Sequence, residues 1–140
     1  MENQQNYQQS LYQFRALREQ REMFENQLQI VNASLGNLKT TRTTVENLKD
    51  VDEGEEILVP IGGIINVKAK IQKPEKVLLS ISDDIVAEKG LDASLEFIEK
   101  LIEQHNEQVQ YIQERIQKID ANLQSLSQTL QAAGMQGAQG

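Results

Sequence analysis

Residues Glu55 to Lys89 read EEILVPIGGIINVKAKIQKPEKVLLSISDDIVAEK, and this stretch decides the fold. It is rich in β-branched residues and holds both prolines of the chain, Pro60 and Pro74. Ile57-Leu58-Val59-Pro60-Ile61 reads as a short strand. Pro60 cannot donate to a ladder, so that strand lies at an edge or bends there. Gly62-Gly63 is a two-residue turn signal. Beyond it Ile65, Val67, Ala69 and Ile71 alternate with Asn66, Lys68 and Lys70, which predicts a hairpin with one buried and one wet face. Gln72 to Lys76 is a connector. Val77, Leu79 and Ile81 then alternate with Leu78, Ser80 and Ser82, Asp83-Asp84 offers a turn, and Ile85-Val86-Ala87 returns. That is a second hairpin. Two small hairpins are not stable alone, and their open edges invite pairing with other chains. The apolar set Ile57, Val59, Ile61, Ile65, Val67, Ile71, Val77, Leu79 and Ile81 is therefore the candidate surface for subunit assembly.

On either side of this hub the sequence reads as long helix. Over about 5–48, one seam position of a seven-residue repeat falls at Tyr7, Phe14, Arg21, Leu28, Leu35 and Arg42. The other falls at Ser10, Leu17, Phe24, Val31, Leu38 and Val45. Spacing of three and four sustained this far indicates a coiled coil. Gly36 and the β-branched run from Thr40 to Val45 weaken the end of this arm without breaking its seam. Over 91–133 the repeat is cleaner. Leu95, Ile102, Val109, Ile116, Leu123 and Leu130 form one row, and Leu91, Ile98, His105, Ile112, Ile119 and Leu126 the other. Each arm would be roughly 65 Å long at 1.5 Å per residue. Matched arms joined by a hub should fold back as an antiparallel pair, with residues whose numbers total about 140 facing each other. The two termini would meet at a tip. Residues 134–140 read as a disordered tail. The expected fold is thus mostly α with small β: an antiparallel coiled coil joined by two hairpins, in one domain spanning residues 1–140.

Composition narrows the function. The 140 residues carry a formal net charge of −7. A negative chain with 4% aromatics is a poor nucleic-acid binder, since phosphate contact needs clustered Lys and Arg. Without cysteine there are no disulfides and no thiolate metal sites. No apolar run approaches the roughly 20 residues of a membrane span, and the polar start does not resemble a signal peptide, so the expected setting is the cytoplasm. The single histidine, His105, lacks the company a metal ligand or catalytic base needs, and reads as a polar residue that sets the seam register. Gly62-Gly63 lacks the Lys-Ser/Thr of a phosphate loop. The acidic run around Gly54 lacks the ligand spacing of a calcium loop. No enzyme, cofactor or metal is expected.

The order long helix, Ile57-Leu58-Val59-Pro60-Ile61-Gly62, Val77-Leu78-Leu79-Ser80-Ile81, Ala87-Glu88-Lys89, long helix resembles the prefoldin family, and within it the archaeal-type α subunit, whose hub carries two hairpins. The second turn, Ser82-Asp83-Asp84, departs from the glycine-rich turn usual there. The resemblance implies a hexamer of two α and four β subunits, with hub strands joined in a β-barrel. It also implies an ATP-independent chaperone that holds non-native polypeptides at its tips and passes them to a group II chaperonin. The candidate tip residues are Tyr7, Leu11, Tyr12, Phe14, Leu126, Leu130 and Met135. Phe14, Leu126 and Leu130 serve equally well as the last rungs of the seam, whereas Leu11 and Tyr12 lie off it. The competing reading is a structural coiled-coil scaffold or filament that polymerises through the same hub.

Overall fold

The structure, a computed structural model, describes the backbone from Glu2 to Gln139 and the side chains from Glu2 to Gly134. The elements run α1 (Glu2–Leu48), β1 (Glu56–Pro60), β2 (Asn66–Lys70), β3 (Lys76–Ser80), β4 (Val86–Gly90) and α2 (Leu91–Gln139). The fold class is as the sequence predicts: two long helices and two small antiparallel hairpins. α2 continues through the stretch expected to be an irregular tail, as far as Gln139. The side chain of Met135 lies outside the described residues.

Two compact units divide the chain, one joining residues 1–34 to 105–140 and the other taking 35–104. In the first, Val31, Ile112 and Ile119 are buried, and Phe14, Leu17, Phe24, Leu28, Ile116, Leu123 and Leu126 are half-buried. These are the seam positions. The Arg21 guanidinium donates to both carboxylate oxygens of Asp120 and also to Glu25. Asp120 first, then Glu25, raise the Arg21 pKa above its usual value. Seam position and surface charge are thus reconciled: the arginine stem covers the seam while its head reaches two acids. His105 Nε2 lies 3.0 Å from Ser34 Oγ. Partners descend α2 as they ascend α1, so the helices pair antiparallel at the fold-back total of about 140. Replacing His105 with isoleucine should raise the melting temperature, since it extends the apolar seam at the expense of half-buried polar contacts, the one to Ser34 among them. Thermal unfolding checks this, and the gain should be of the order of 1 kcal/mol.

In the second unit Leu35, Val45, Leu91, Ile98 and Ile102 form the core, with Leu38, Leu48, Leu95 and Val77 packed on it. Val77 belongs to β3, so the second hairpin is tied to the helices by a side chain the sequence suggested was free for assembly. Arg42 bonds Glu99 at 2.9 Å, and Lys49 bonds Asp92, in the first turn of α2, at 2.9 Å. A negative group there also suits the helix N-terminus. The threonine run stays helical because each hydroxyl donates back one turn: Thr40 to Gly36, Thr41 to Asn37, Thr43 to Lys39 and Thr44 to Thr40. Ser94, the most buried polar residue, is satisfied by the Gly90 carbonyl at 2.8 Å.

The turns differ from expectation. Ile61 N–H donates to the Ile65 carbonyl at 2.9 Å, and Ile81 N–H to the Ile85 carbonyl at 2.9 Å. Each hairpin therefore closes on an Ile–Ile pair around three residues, 62–64 and 82–84, not around two. Parity explains it. The register pairs Ile57 with Ala69 and Val59 with Val67. A two-residue loop would set Val59 opposite Asn66 and mix apolar with polar residues on both faces.

Candidate functional site

The hairpins repeat at an offset of twenty residues: 56–70 and 76–90 superpose strand for strand and closing pair for closing pair. In both, odd-numbered residues form the hydrogen-bonded pairs, as the bonds from Ile61 to Ile65 and from Ile71 to Glu55 show. Even-numbered residues then turn their backbone groups outward. Pro60 occupies such an outward position, so its missing N–H leaves the hairpin ladder intact and blunts only the open edge of β1.

Both sheets have two strands and no further strand paired to them among the described residues. The consequence is exposure. Of fifteen large hydrophobics that are exposed among the described residues, ten lie in the hairpins. Val59, Ile61, Ile65, Val67 and Ile81 of the predicted assembly set are among them. Ile57, Ile71, Val77 and Leu79 are half-buried within the chain itself. Sequence reading passed over Leu58, Ile64, Leu78, Ile85 and Val86, all exposed, with Ile64 at the loop apex 94% accessible. Alternation set Leu78 on the polar side with Ser80 and Ser82, Leu58, Ile85 and Val86 were read as strand residues with no face, and Ile64 fell between the Gly62-Gly63 turn and the next strand. The cue available was that a wet face should not carry Leu and Val. The Glu56–Lys68 contact, 3.9 Å and exposed, adds little.

At the other candidate site, the start of α1 and the end of α2 border a cleft of about 440 Å³ lined by Tyr7, Ser10, Thr129, Leu130 and Ala133. Small side chains on one helix face Tyr7 on the other and leave the space. Tyr7 and Tyr12 are exposed, Tyr12 to 75%. Leu11, Phe14, Leu126 and Leu130 are half-buried. The Arg18 guanidinium lies 6.0 Å from the Phe14 ring centre. Leu11, although off the seam, is thus no more open than the seam rungs beside it. No group of three or more His, Asp or Glu among the described residues is arranged to hold a metal ion, and no described helix is long and apolar enough to cross a membrane.

The chain matches the family of prefoldin subunits over residues 17–136. It belongs to the prefoldin family. Its relatives include prefoldin subunit alpha of Pyrococcus horikoshii, 29% identical over 103 residues, or 73% of this chain and 70% of that one. Prefoldin subunit alpha 1 of Thermococcus kodakarensis is 33% identical over 95 residues, covering 67% and 64%. Among solved structures, one chain of the filamentous PFD from Methanocaldococcus jannaschii matches with a TM-score of 0.71 and 28% identity, over 81% of this chain and 93% of that one.

Proposed function

We propose that this prefoldin subunit is an ATP-independent holdase that captures non-native polypeptides at the helix-end tip and hands them to a group II chaperonin. The observation that carries the proposal is the concentration of exposed apolar side chains on two hairpins whose strands pair with no further strand among the described residues. They serve assembly with prefoldin β subunits, in a hexamer of two α and four β, in the cytoplasm. Tyr7, Leu11, Tyr12, Phe14, Leu126, Leu130 and Met135 form the client-binding tip. Apolar burial is non-directional, so such a surface accepts many sequences. It performs no bond chemistry and needs no cofactor. Aggregation of a denatured client, followed with and without β subunit and without nucleotide, tests this. Suppression should occur without ATP, and strict ATP dependence sinks the proposal. Changing Leu11 and Tyr12 to serine should weaken suppression several-fold and leave the assembly size unaltered, given that a few apolar anchors carry most binding energy. Equal protection by this variant would remove the tip assignment.

A second reading is a filament-forming scaffold, favoured by the likeness to a chain of a filamentous prefoldin. Sedimentation of the chain alone and mixed with β subunit separates the two: a discrete hexamer supports the holdase, open polymers the scaffold.

A further inference from the structure

The strand edges left open in the hub differ in what they would present to the same edge of a second copy. Antiparallel self-pairing about a twofold axis places the middle residue of an edge opposite itself. On β2 that residue is Lys68 and on β4 it is Glu88, so both edges would bring like charges face to face. On β1 it is Leu58, but Pro60 then lies opposite Glu56, with a ring carbon where an N–H should meet the Glu56 carbonyl. β3 is the counterpart of β1 at the twenty-residue offset and lacks this block, because Ser80 stands where β1 has Pro60. Its middle residue is Leu78, 75% accessible and the most exposed large hydrophobic of any described strand.

The register that sets Leu78 opposite Leu78 suits both faces of β3. Lys76 meets Ser80 on the Leu78 face, and Val77 meets Leu79 on the other. The Lys76 N–H is already taken by the Lys73 carbonyl at 3.1 Å. The ladder would therefore consist of the mutual Leu78 bonds and a bond from each Ser80 N–H to the facing Lys76 carbonyl. Beyond the strands, each apex carries Asp83 and Asp84 towards the end of the other copy's β3, where Lys73 and Lys76 outnumber Glu75. None of Lys73, Lys76, Asp83 and Asp84 has an ion-pair partner among the described residues. The product is a four-stranded sheet, β4-β3-β3-β4, in place of a two-stranded one that is marginal alone.

We infer that the β3 edge pairs with the β3 edge of a second copy of this chain, with Leu78 on the twofold axis. The inference rests on the proposed role of the hairpins in assembly and names the partner of one edge. Cross-pairings fit less well. β2 against β3 sets Lys70 opposite Lys76. β2 against β4 gives Lys68 a partner in Glu88, but it sets Lys70 opposite Val86 and Val67 opposite Lys89.

The chain has no cysteine, so a single introduced thiol can bridge only to another chain. Residues of a hydrogen-bonded antiparallel pair stand about 5.5 Å apart at Cα, within disulfide reach. With a mild oxidant, Leu78→Cys should form a covalent dimer at least about tenfold faster than Leu58→Cys, its counterpart on β1, because pairing raises the effective thiol concentration. Ser80→Pro copies the β1 block into β3 at a position whose N–H the hairpin does not use. It should convert the chain, studied alone by sedimentation velocity, from dimer to monomer with far-UV circular dichroism unchanged. Equal oxidation rates for the two cysteine variants overturn the inference, as does a Ser80→Pro chain that stays dimeric. Faster bridging between Lys68→Cys and Glu88→Cys chains than within Leu78→Cys also overturns it and assigns the contact to β2 and β4. Mixing with β subunit tells this failure from failure of the assembly reading. Hexamers that form while Leu78→Cys stays unbridged refute the β3 pairing alone. A chain that forms no larger species with β subunit, and bridges through no hairpin cysteine, refutes the assembly reading as well.

Discussion

Changing Ile61 and Ile81 to aspartate together is expected to abolish assembly and leave the helices folded. These are the closing residues of the two hairpins, and both are more than half exposed in the single chain. Neither belongs to the core that Leu35, Val45, Leu91, Ile98 and Ile102 build, so the fold loses little. In an assembled hub each would be an uncompensated buried carboxylate, and truncating or breaking such centres costs about 2 kcal/mol or more apiece. Two of them raise the dissociation constant by roughly a thousandfold, since each 1.4 kcal/mol is a factor of ten. Sedimentation velocity should show the species collapse to single chains, with far-UV circular dichroism unchanged. A variant that assembles at parent concentrations would place the interface elsewhere on the hairpins, at Leu58, Leu78 and Val86 first.

Truncating Ile112 to alanine carries the largest expected loss of stability. At 2% exposure it is the most buried large side chain described. It fills the seam between Val31 and Leu28 on the facing helix by the fold-back register. Removing three carbons from such a site costs about 3 kcal/mol, within the usual range for large-to-small changes. For a chain of this size the midpoint should fall by about 10 °C. Gln113→Ala, one residue on and exposed, should alter it by under about 0.5 kcal/mol and controls for the helix itself. Thermal unfolding of the three chains side by side decides it. Equal midpoints for Ile112→Ala and Gln113→Ala would mean that the seam has been assigned to the wrong residues.

The seam was legible because a heptad encodes burial by spacing alone. Of the twenty-four positions read from the sequence, only Tyr7 is exposed, and it stands at a helix end. Interactions across the seam were not legible in the same way. Arg21 and Arg42 looked like polar interruptions, and their acids, Asp120 and Glu99, are 99 and 57 residues away. The fold-back total of about 140 brings each acid to within one residue of the position facing its arginine, but a heptad read for apolar rows does not look for acids beside them. The hairpin turns misled for a different reason. Gly-Gly is a strong local signal, but the alternation of the flanking strands is a longer one, and register obeys the longer. In the tip, distance from the seam was an imperfect guide to exposure: Leu11 is half-buried and Tyr12 is not, because e positions still border the partner helix while f positions face away.

The two arginines in the α1 seam bear on how the chain is made. α1 leaves the ribosome some forty residues before the first turn of α2. In that interval its exposed seam could zip to the α1 of a neighbouring nascent chain on the same message. Parallel pairing would stack Arg21 on Arg21 and Arg42 on Arg42 at the centre of the interface, with no acid in the facing seam row. Only the antiparallel partner, arriving later, brings Asp120 and Glu99 to them. The interruptions that weaken the repeat on paper thus disfavour parallel self-pairing of α1 relative to pairing with α2.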